Sequence, residues 1–300
     1  MNQKILKIFD NKKLKDYGNV KKGISTSDNN RFIRLWFELN NKDISYNVNK
    51  CNLHTKKWIP LNKGGAFRKW FGNNNYVINW ENNGEEIKNF PLACIRNEKY
   101  YFQESITWTD LTSGLPSFRY NPCGFIHDVA GPCVFSLKND FFYYLSLLNS
   151  KITSEILEIT APTMHFNIGN ISEIPIIYSK EMYSTICSIG KLNIYISKLD
   201  WDSFENSWDF IKHPLIKNIS TLQKSFDEWK KECNDRFSKL KYNEEKLNTI
   251  FIDIYKLQSE LASEVKDEDI TIRKADLNRD IKSFISYAVG CMLGRYSLDV

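Results

Sequence analysis

The signatures by which enzymes usually announce themselves are missing from this 300-residue chain. No Gly-x-Gly-x-x-Gly follows a strand-like run, no Gly-x-x-x-x-Gly-Lys-Ser/Thr phosphate loop occurs, and there is no Gly-x-Ser-x-Gly nucleophile elbow. The four histidines (His54, His127, His165, His213) form no i, i+4 pair, which argues against a metal centre. The seven cysteines are odd in number and none lie at zinc-knuckle or redox spacing, so they read as reduced thiols. The longest late apolar run, Phe284 to Leu293, is too short to span a bilayer, and MNQKILKIFDNKKLKDYG has no apolar core of a secretory signal. These absences lead us to expect a soluble cytoplasmic protein with no membrane partner.

Acidic pairs occur, but in settings that suit a solvated surface. Glu85–Glu86, Glu244–Glu245 and Asp267–Asp269 lie in polar turns or helix faces, and no nuclease triad can be assembled. Asp128, beside His127 in GFIHDVAG, is the most site-like acid, and there too an aspartate fixing the turn after a strand is the simpler reading.

What is present is apolar material, 42% of residues with 14% aromatic, enough for one large or two ordinary domains. Charge is unevenly spread. The first 180 residues hold 23 Lys/Arg against 16 Asp/Glu, while the last 120 hold 18 against 20. Between Asp43 and Glu81 there is no acidic residue, yet Lys50, Lys56, Lys57, Lys63, Arg68 and Lys69 fall there. A local positive field of this kind suits phosphate contact, an ordinary solvated face being the alternative.

Patterning gives an α+β chain in three parts. Residues 1–20 read as a short helix or lead-in arm. Residues 21–180 read as a sheet-rich domain, with short runs FIRLWFEL, YVINW, YYFQESITWTDL, SFRYNP and GFIHDV cut by the turns NNKD, GNNN, ENNGEE and NPCG. Near its end, PCVFSLKNDFFYYLSLLNSKITSEIL changes to helical spacing, with Phe141, Leu145, Leu148, Ile152 and Ile156 as one stripe; TAPTMHFNIGNISEIPII follows as loop and edge strand, Pro175 ending any helical option. Residues 181–300 read as a helical spacer or docking domain. One amphipathic helix carries Ile186, Ile189, Leu192 and Ile196. A coiled-coil-like pattern then runs from Ile219 to Val265, either as one helix or as two antiparallel helices broken near Tyr242–Glu245. Trp201, Trp208 and Trp229 read as anchors of helix packing, and Asp276 as the N-cap of a last helix.

Two segments carry the functional reading, Lys21–Trp36 (KKGISTSDNNRFIRLW) and Trp58–Trp70 (WIPLNKGGAFRKW). Each sets glycine, small polar side chains and cations beside aromatics, as suits a surface meeting a polyanion closely. Lys21, Lys22, Lys56, Lys57 and Lys69 are candidates for phosphates, which set affinity and salt dependence. Thr26, Asn29, Asn30 and Arg31 on one segment, with Lys63 and Arg68 on the other, are candidates for base edges. Gly64 and Gly65 would let the backbone approach. Trp70, Tyr76 and Trp108 suit either a sugar contact or the core, and Arg119 and Thr163 sit on loops of the same region.

Several blocks in order carry a resemblance. GISTSDNNRFIRLWFE, KWIPLNKGGAFRKWFGNNNYVINWENNGEEIKNF, SITWTDLTSG, LSLLNSKI, PTMHFNIGNISEIPI, SKLDWDSFENSWDF and ISYAVGCMLGRYSLD resemble the C-terminal half of the PglX family, the adenine-specific DNA methyltransferases of bacteriophage exclusion (BREX) systems. A Gly-x-x-Thr-x-x-Asn opening, an LLNS helix and a GxIxxIPI ending are similar, more broadly, to target-recognition domains of restriction–modification proteins. The resemblance implies a two-part enzyme, in which an N-terminal domain binds S-adenosylmethionine and carries an Asn-Pro-Pro-Tyr loop while a C-terminal domain finds the target. This chain has neither that loop nor a glycine-rich cofactor motif, so catalysis and cofactor are expected elsewhere. Family members are also expected to continue past Ser297–Val300. The implied partners are double-stranded DNA, a catalytic methyltransferase domain in cis or in trans, and other phage-defence proteins. Two alternatives stay open: a stand-alone specificity subunit recruiting a separate methyltransferase, and a coiled-coil interaction protein whose basic face is incidental.

Overall fold

A computed structural model describes residues 3–46, 48, 56–112, 114–137, 140–161 and 163–296. Lys50, in the acid-free stretch, lies outside them. Eight short strands appear among the described residues: β1 (Asn19–Lys21), β2 (Ile33–Leu35), β3 (Trp58–Asn62), β4 (Tyr76–Asn79), β5 (Ser105–Thr107), β6 (Arg119–Asn121), β7 (Ile126–His127) and β8 (Cys133–Phe135). They form two four-stranded sheets, one antiparallel in the order β1-β8-β5-β6, the other β2-β4-β3-β7 with only the β3–β7 pair parallel. The α+β expectation holds.

Nine helices complete the described chain: α1 (Gln3–Ile8), α2 (Asn29–Phe32), α3 (Glu81–Lys88), α4 (Phe141–Leu148), α5 (Lys151–Thr160), α6 (Ile168–Ser172), α7 (Tyr183–Asp202), α8 (Leu222–Tyr255) and α9 (Leu277–Met292). Asp276 caps α9 as expected, accepting from the Arg279 amide at 2.7 Å. The NNG turn is also present, at the start of α3, where Asn82, Asn83 and Gly84 take φ of 50°, 58° and 72°.

Three expectations need correction, each for the same kind of reason. The stripe from Phe141 to Ile156 is two helices. Asn149 leaves the helical path to bond both backbone groups of Phe118, donating to its carbonyl at 2.9 Å and accepting from its amide at 3.0 Å. The Ser150 and Thr153 hydroxyls then both donate to the carbonyl of Leu147, satisfying an acceptor the break exposes. The longer pattern left one helix or two open, and it is one: α8 runs unbroken through Tyr242–Glu245 for 34 residues, about 50 Å at 1.5 Å per residue. Its apolar stripe lapses there because Asn243 and Glu244 are buried polar partners; Asn243 bonds the Asn193 side chain at 2.8 Å. CVF in PCVFSL is strand β8, paired on both sides by β1 and β5, and not a helix start; and Ile168–Ser172, read as loop and edge strand, is helix α6, N-capped by the Asn167 side chain.

The long helix is no projecting stalk. Its inner face packs on α4, α5 and α7, and the largest core cluster runs from Ile5 to Ile272, taking in Ile106, Trp108, Leu145, Ile196, Leu240 and Phe251. Two buried ion pairs cross from the sheets to these helices. Arg68 meets Asp200 of α7 at 2.9 Å, and Lys69 meets Glu244 of α8 at 2.8 Å. Glu244 also accepts from Trp70 Nε1 at 2.7 Å, and Arg68 donates to the carbonyls of Phe71, Ser197 and Thr271.

Removing one partner of such a pair strands the other charge. Glu244→Ala is expected to lower unfolding free energy by about 3–5 kcal/mol, read from urea denaturation at pH 7. Glu245→Ala, one residue further on, should cost far less.

Candidate nucleic-acid interface

Segment 22–27 runs along β7 and beyond it. The Ile24 amide donates to the His127 carbonyl at 2.8 Å, Val129 returns a bond to Ile24 at 3.0 Å, and Ser25 and Cys94 exchange bonds on the other side. Gly23 is required by this approach, since a Cβ there would lie 1.6 Å from the His127 carbonyl oxygen. Asp128 then accepts from the Ala130 amide at 2.8 Å and turns the chain back. It is therefore the turn-fixing residue of the simpler reading; burial raises its carboxyl pKa, against the pull of that amide and of Lys63 Nζ at 3.7 Å.

The two sequence segments meet here. Ser25, Thr26, Ser27 and Asn29 face Lys63, Asp128, Val129 and Ala130 across an open cleft of about 330 Å³. Asp28 caps α2 by accepting from the Arg31 amide at 3.0 Å, and Thr26 donates to the Asn29 side-chain oxygen at 2.7 Å. That leaves the Asn29 amide nitrogen and the exposed Asn30 at the rim. Beside them, Gly64 and Gly65 take φ of 77° and 140°, and a Cβ on Gly64 would lie 2.8 Å from the Ala130 carbonyl oxygen.

The cations fare differently from what the sequence suggests. The acid-free stretch is answered in space by distant carboxylates. Lys57 lies 3.5 Å from Glu81, Lys63 faces Asp128, and Arg68 and Lys69 are held by Asp200 and Glu244. Outside that stretch Arg31 pairs with Glu86 at 2.7 Å, and Lys22 shares the Asp110 oxygen that His165 Nε2 also reaches, at 2.9 and 2.7 Å. Lys56 donates to the Ile44 carbonyl, and Lys21 is half-buried on β1.

Trp58–Trp70 is thus largely interior, and only its Lys63–Phe67 stretch reaches the surface. Arg68, Lys69 and Trp70 leave the set of candidate contacts because their polar atoms are spent inside the protein. Trp108 leaves it too, fully buried and donating to the Phe166 carbonyl at 2.7 Å. Tyr76 is half-buried against the core of the second sheet. Thr163 is exposed where residues 164–166 pair with residues 110–112.

Arg119 is the unexpected member. It is 1% exposed and donates only to neutral oxygens, those of Arg68, Ser117 and Thr109. No carboxylate pairs with it among the described residues, and burial pulls its pKa down to about 10. Thr109 in turn donates to the Gly65 carbonyl at 2.9 Å, so this uncompensated cation lies directly beneath the glycine loop. Read from the sequence as a loop residue, Arg119 instead opens strand β6 and is buried, and nothing in the sequence shows that its neighbours lack acid.

His127 is no catalyst. It is buried against Tyr101 and Phe135, its Nε2 finds no partner among the described residues, and burial pushes its pKa down to about 3. His213 is pushed down to about 4 for the same reason. The unfolded imidazoles bind protons below about 6.5 while the folded ones do not. Stability is therefore expected to be full above pH 7 and to fall as pH drops from 6.5 toward 4. His127→Asn with His213→Asn should flatten the urea midpoint between pH 7 and 5.

No family model matches the chain. It is 43% identical over 304 aligned positions to the adenine-specific methyltransferase PglX of Lacticaseibacillus casei (strain Zhang), covering 96% of this chain and 25% of that protein. It is 34% identical over 300 positions to the adenine-specific methyltransferase BrxX of Escherichia coli O9:H4 (strain HS), covering 93% of this chain and 24% of that protein. The chain spans about a quarter of the length of these curated relatives. Across nearly all of its own length, then, this chain belongs with the PglX/BrxX adenine-specific methyltransferases, as the counterpart of about one quarter of such a protein.

Proposed function

We infer that this chain is the part of a BREX-type adenine-specific DNA methyltransferase that recognises the double-stranded target, working in the cytoplasm beside a methyltransferase region that does the chemistry. The observation that carries the reading is Arg119, a buried cation without a carboxylate partner among the described residues, lying under a Gly-Gly loop whose Gly65 is exposed. A site of that kind is costly for the free protein and is compensated when an anion arrives. A DNA phosphate on the Gly64–Gly65 loop supplies the missing charge at short range, with Lys63 at its side. Asn29, Asn30 and Thr26 across the cleft are then placed for base edges, asparagine being suited to adenine N6 and N7. Arg31 joins them on exchanging Glu86 for a base or phosphate.

We propose that S-adenosylmethionine is not held by this chain. The only parallel strand pair among the described residues joins the two-residue β7 to β3, with no glycine-rich turn leading from strand to helix. We assign the cofactor to the remaining length of the relatives. Attachment to that region suits α9, whose Ile285, Val289 and Met292 are 47–81% exposed along one helical face, with exposed Leu293 just after it.

A salt titration of duplex binding tests the reading. The logarithm of affinity is expected to fall linearly with that of salt concentration, with a slope reporting several phosphate contacts. Lys63→Ala should reduce the slope by about one. Arg119→Gln is the sharper variant: it should weaken binding to every duplex by about tenfold, worth roughly 1.4 kcal/mol, while leaving the urea midpoint unchanged or raised. Loss of stability without loss of affinity would make Arg119 a structural residue only.

A further inference from the structure

On another part of the surface, the turn that follows β2 (Trp36–Glu38) faces the chain after α7 and the end of α9 across a cleft of about 640 Å³. Its walls are aromatic: Trp36, Phe37, Trp208, Phe210 and Tyr296. They are braced from behind. Trp36 Nε1 donates to the Asn206 carbonyl at 3.0 Å, and the Trp208 ring lies 5.0 Å from Tyr46 and 5.8 Å from Phe125. Phe210 and Tyr296 lie 5.7 Å apart, both against the buried Tyr287, and the Tyr296 hydroxyl donates to Glu205 at 3.0 Å. Aromatic walls held by other aromatics do not need to be ordered when a ligand arrives.

The polar groups at this cleft are few and specific. Glu205, Asn41 and Asn206 offer acceptors and amide donors, and exposed Arg295 makes no ion pair among the described residues. Flat apolar walls, an edge able to both donate and accept, and one cation at the mouth match a base, its hydrogen-bonding edge and its phosphate. An aliphatic peptide side chain would fill the walls but leave Arg295 without an anionic partner. The volume also falls in the range of small-ligand sites.

We propose that this cleft binds a single unpaired nucleotide, its base against the aromatic walls and its phosphate on Arg295. Free mononucleotide and an unpaired position in a DNA strand share this chemistry. The inference does not depend on duplex reading at the glycine loop, which uses other residues.

Calorimetric titration of the whole chain with dAMP, and separately with a short single-stranded oligodeoxyadenylate, tests it. Phe37→Ser and Arg295→Ala change exposed side chains, and matched urea midpoints confirm that both fold. Each is expected to weaken binding at least fivefold, while Lys63→Ala leaves dAMP binding unchanged. Equal response to both probes identifies the nucleotide itself as the ligand, and response to the oligonucleotide alone identifies a strand. Absence of binding to both probes, or binding of full strength in both variants, overturns the proposal. Weak duplex binding beside intact cleft binding would count against the glycine-loop reading and leave this one standing.

Discussion

Two buried ion pairs hold the loop that forms one side of the candidate interface. Arg68–Asp200 and Lys69–Glu244 take consecutive residues of one loop and fasten them to two different helices, with Trp70 sharing the Glu244 carboxylate. Such pairs gain little over a well-packed apolar contact, because desolvation offsets most of their attraction. Their value is positional. An arginine and a lysine inside a core are tolerable in only one arrangement, so they fix the loop that begins at Lys63 relative to α7 and α8.

The same charges bear on how basic the interface is. A stretch that looks cationic along the sequence is largely neutralised by carboxylates brought from elsewhere. Arg119, beneath Gly65, is the cation left without a carboxylate partner among the described residues at this loop. The fold tolerates Arg119 there by giving it carbonyl and hydroxyl partners, which satisfy its hydrogen bonds without cancelling its charge. In that sense the stability of the free chain and its readiness for an anion are set against each other at one residue.

Much of the architecture was legible. Short strands cut by Asn- and Gly-containing turns, the Asp276 cap and the long helical pattern all follow from local rules, and those rules operate over a few residues. What was not legible depends on partners far away in the chain. The break at Asn149 exists because Phe118 offers two backbone groups, and the absence of a break at Asn243–Glu244 exists because Asn193, Lys69 and Trp70 meet them. Local pattern reading turns a buried polar contact into an apparent helix end. The candidate site divides in the same way. Thr26, Asn29 and Lys63 line one cleft, with Thr26 buried behind Asn29 and with exposed Asn30 and Gly65 outside the lining. Arg68, Lys69, Trp70 and Trp108 do not line it, because a cation or tryptophan beside a glycine loop reads alike whether it faces solvent or a carboxylate on a distant helix.

Hydrogen–deuterium exchange of the chain with and without its duplex target would test the central claim most directly. If the glycine loop over Arg119 and the segment across the cleft form the recognition surface, DNA will slow exchange at residues 25–31 and 63–67 together. Segment 68–70, already locked by its ion pairs, will be slow in both states. Protection confined to α9 or to the second half of α8, with 25–31 and 63–67 unchanged, would contradict the account.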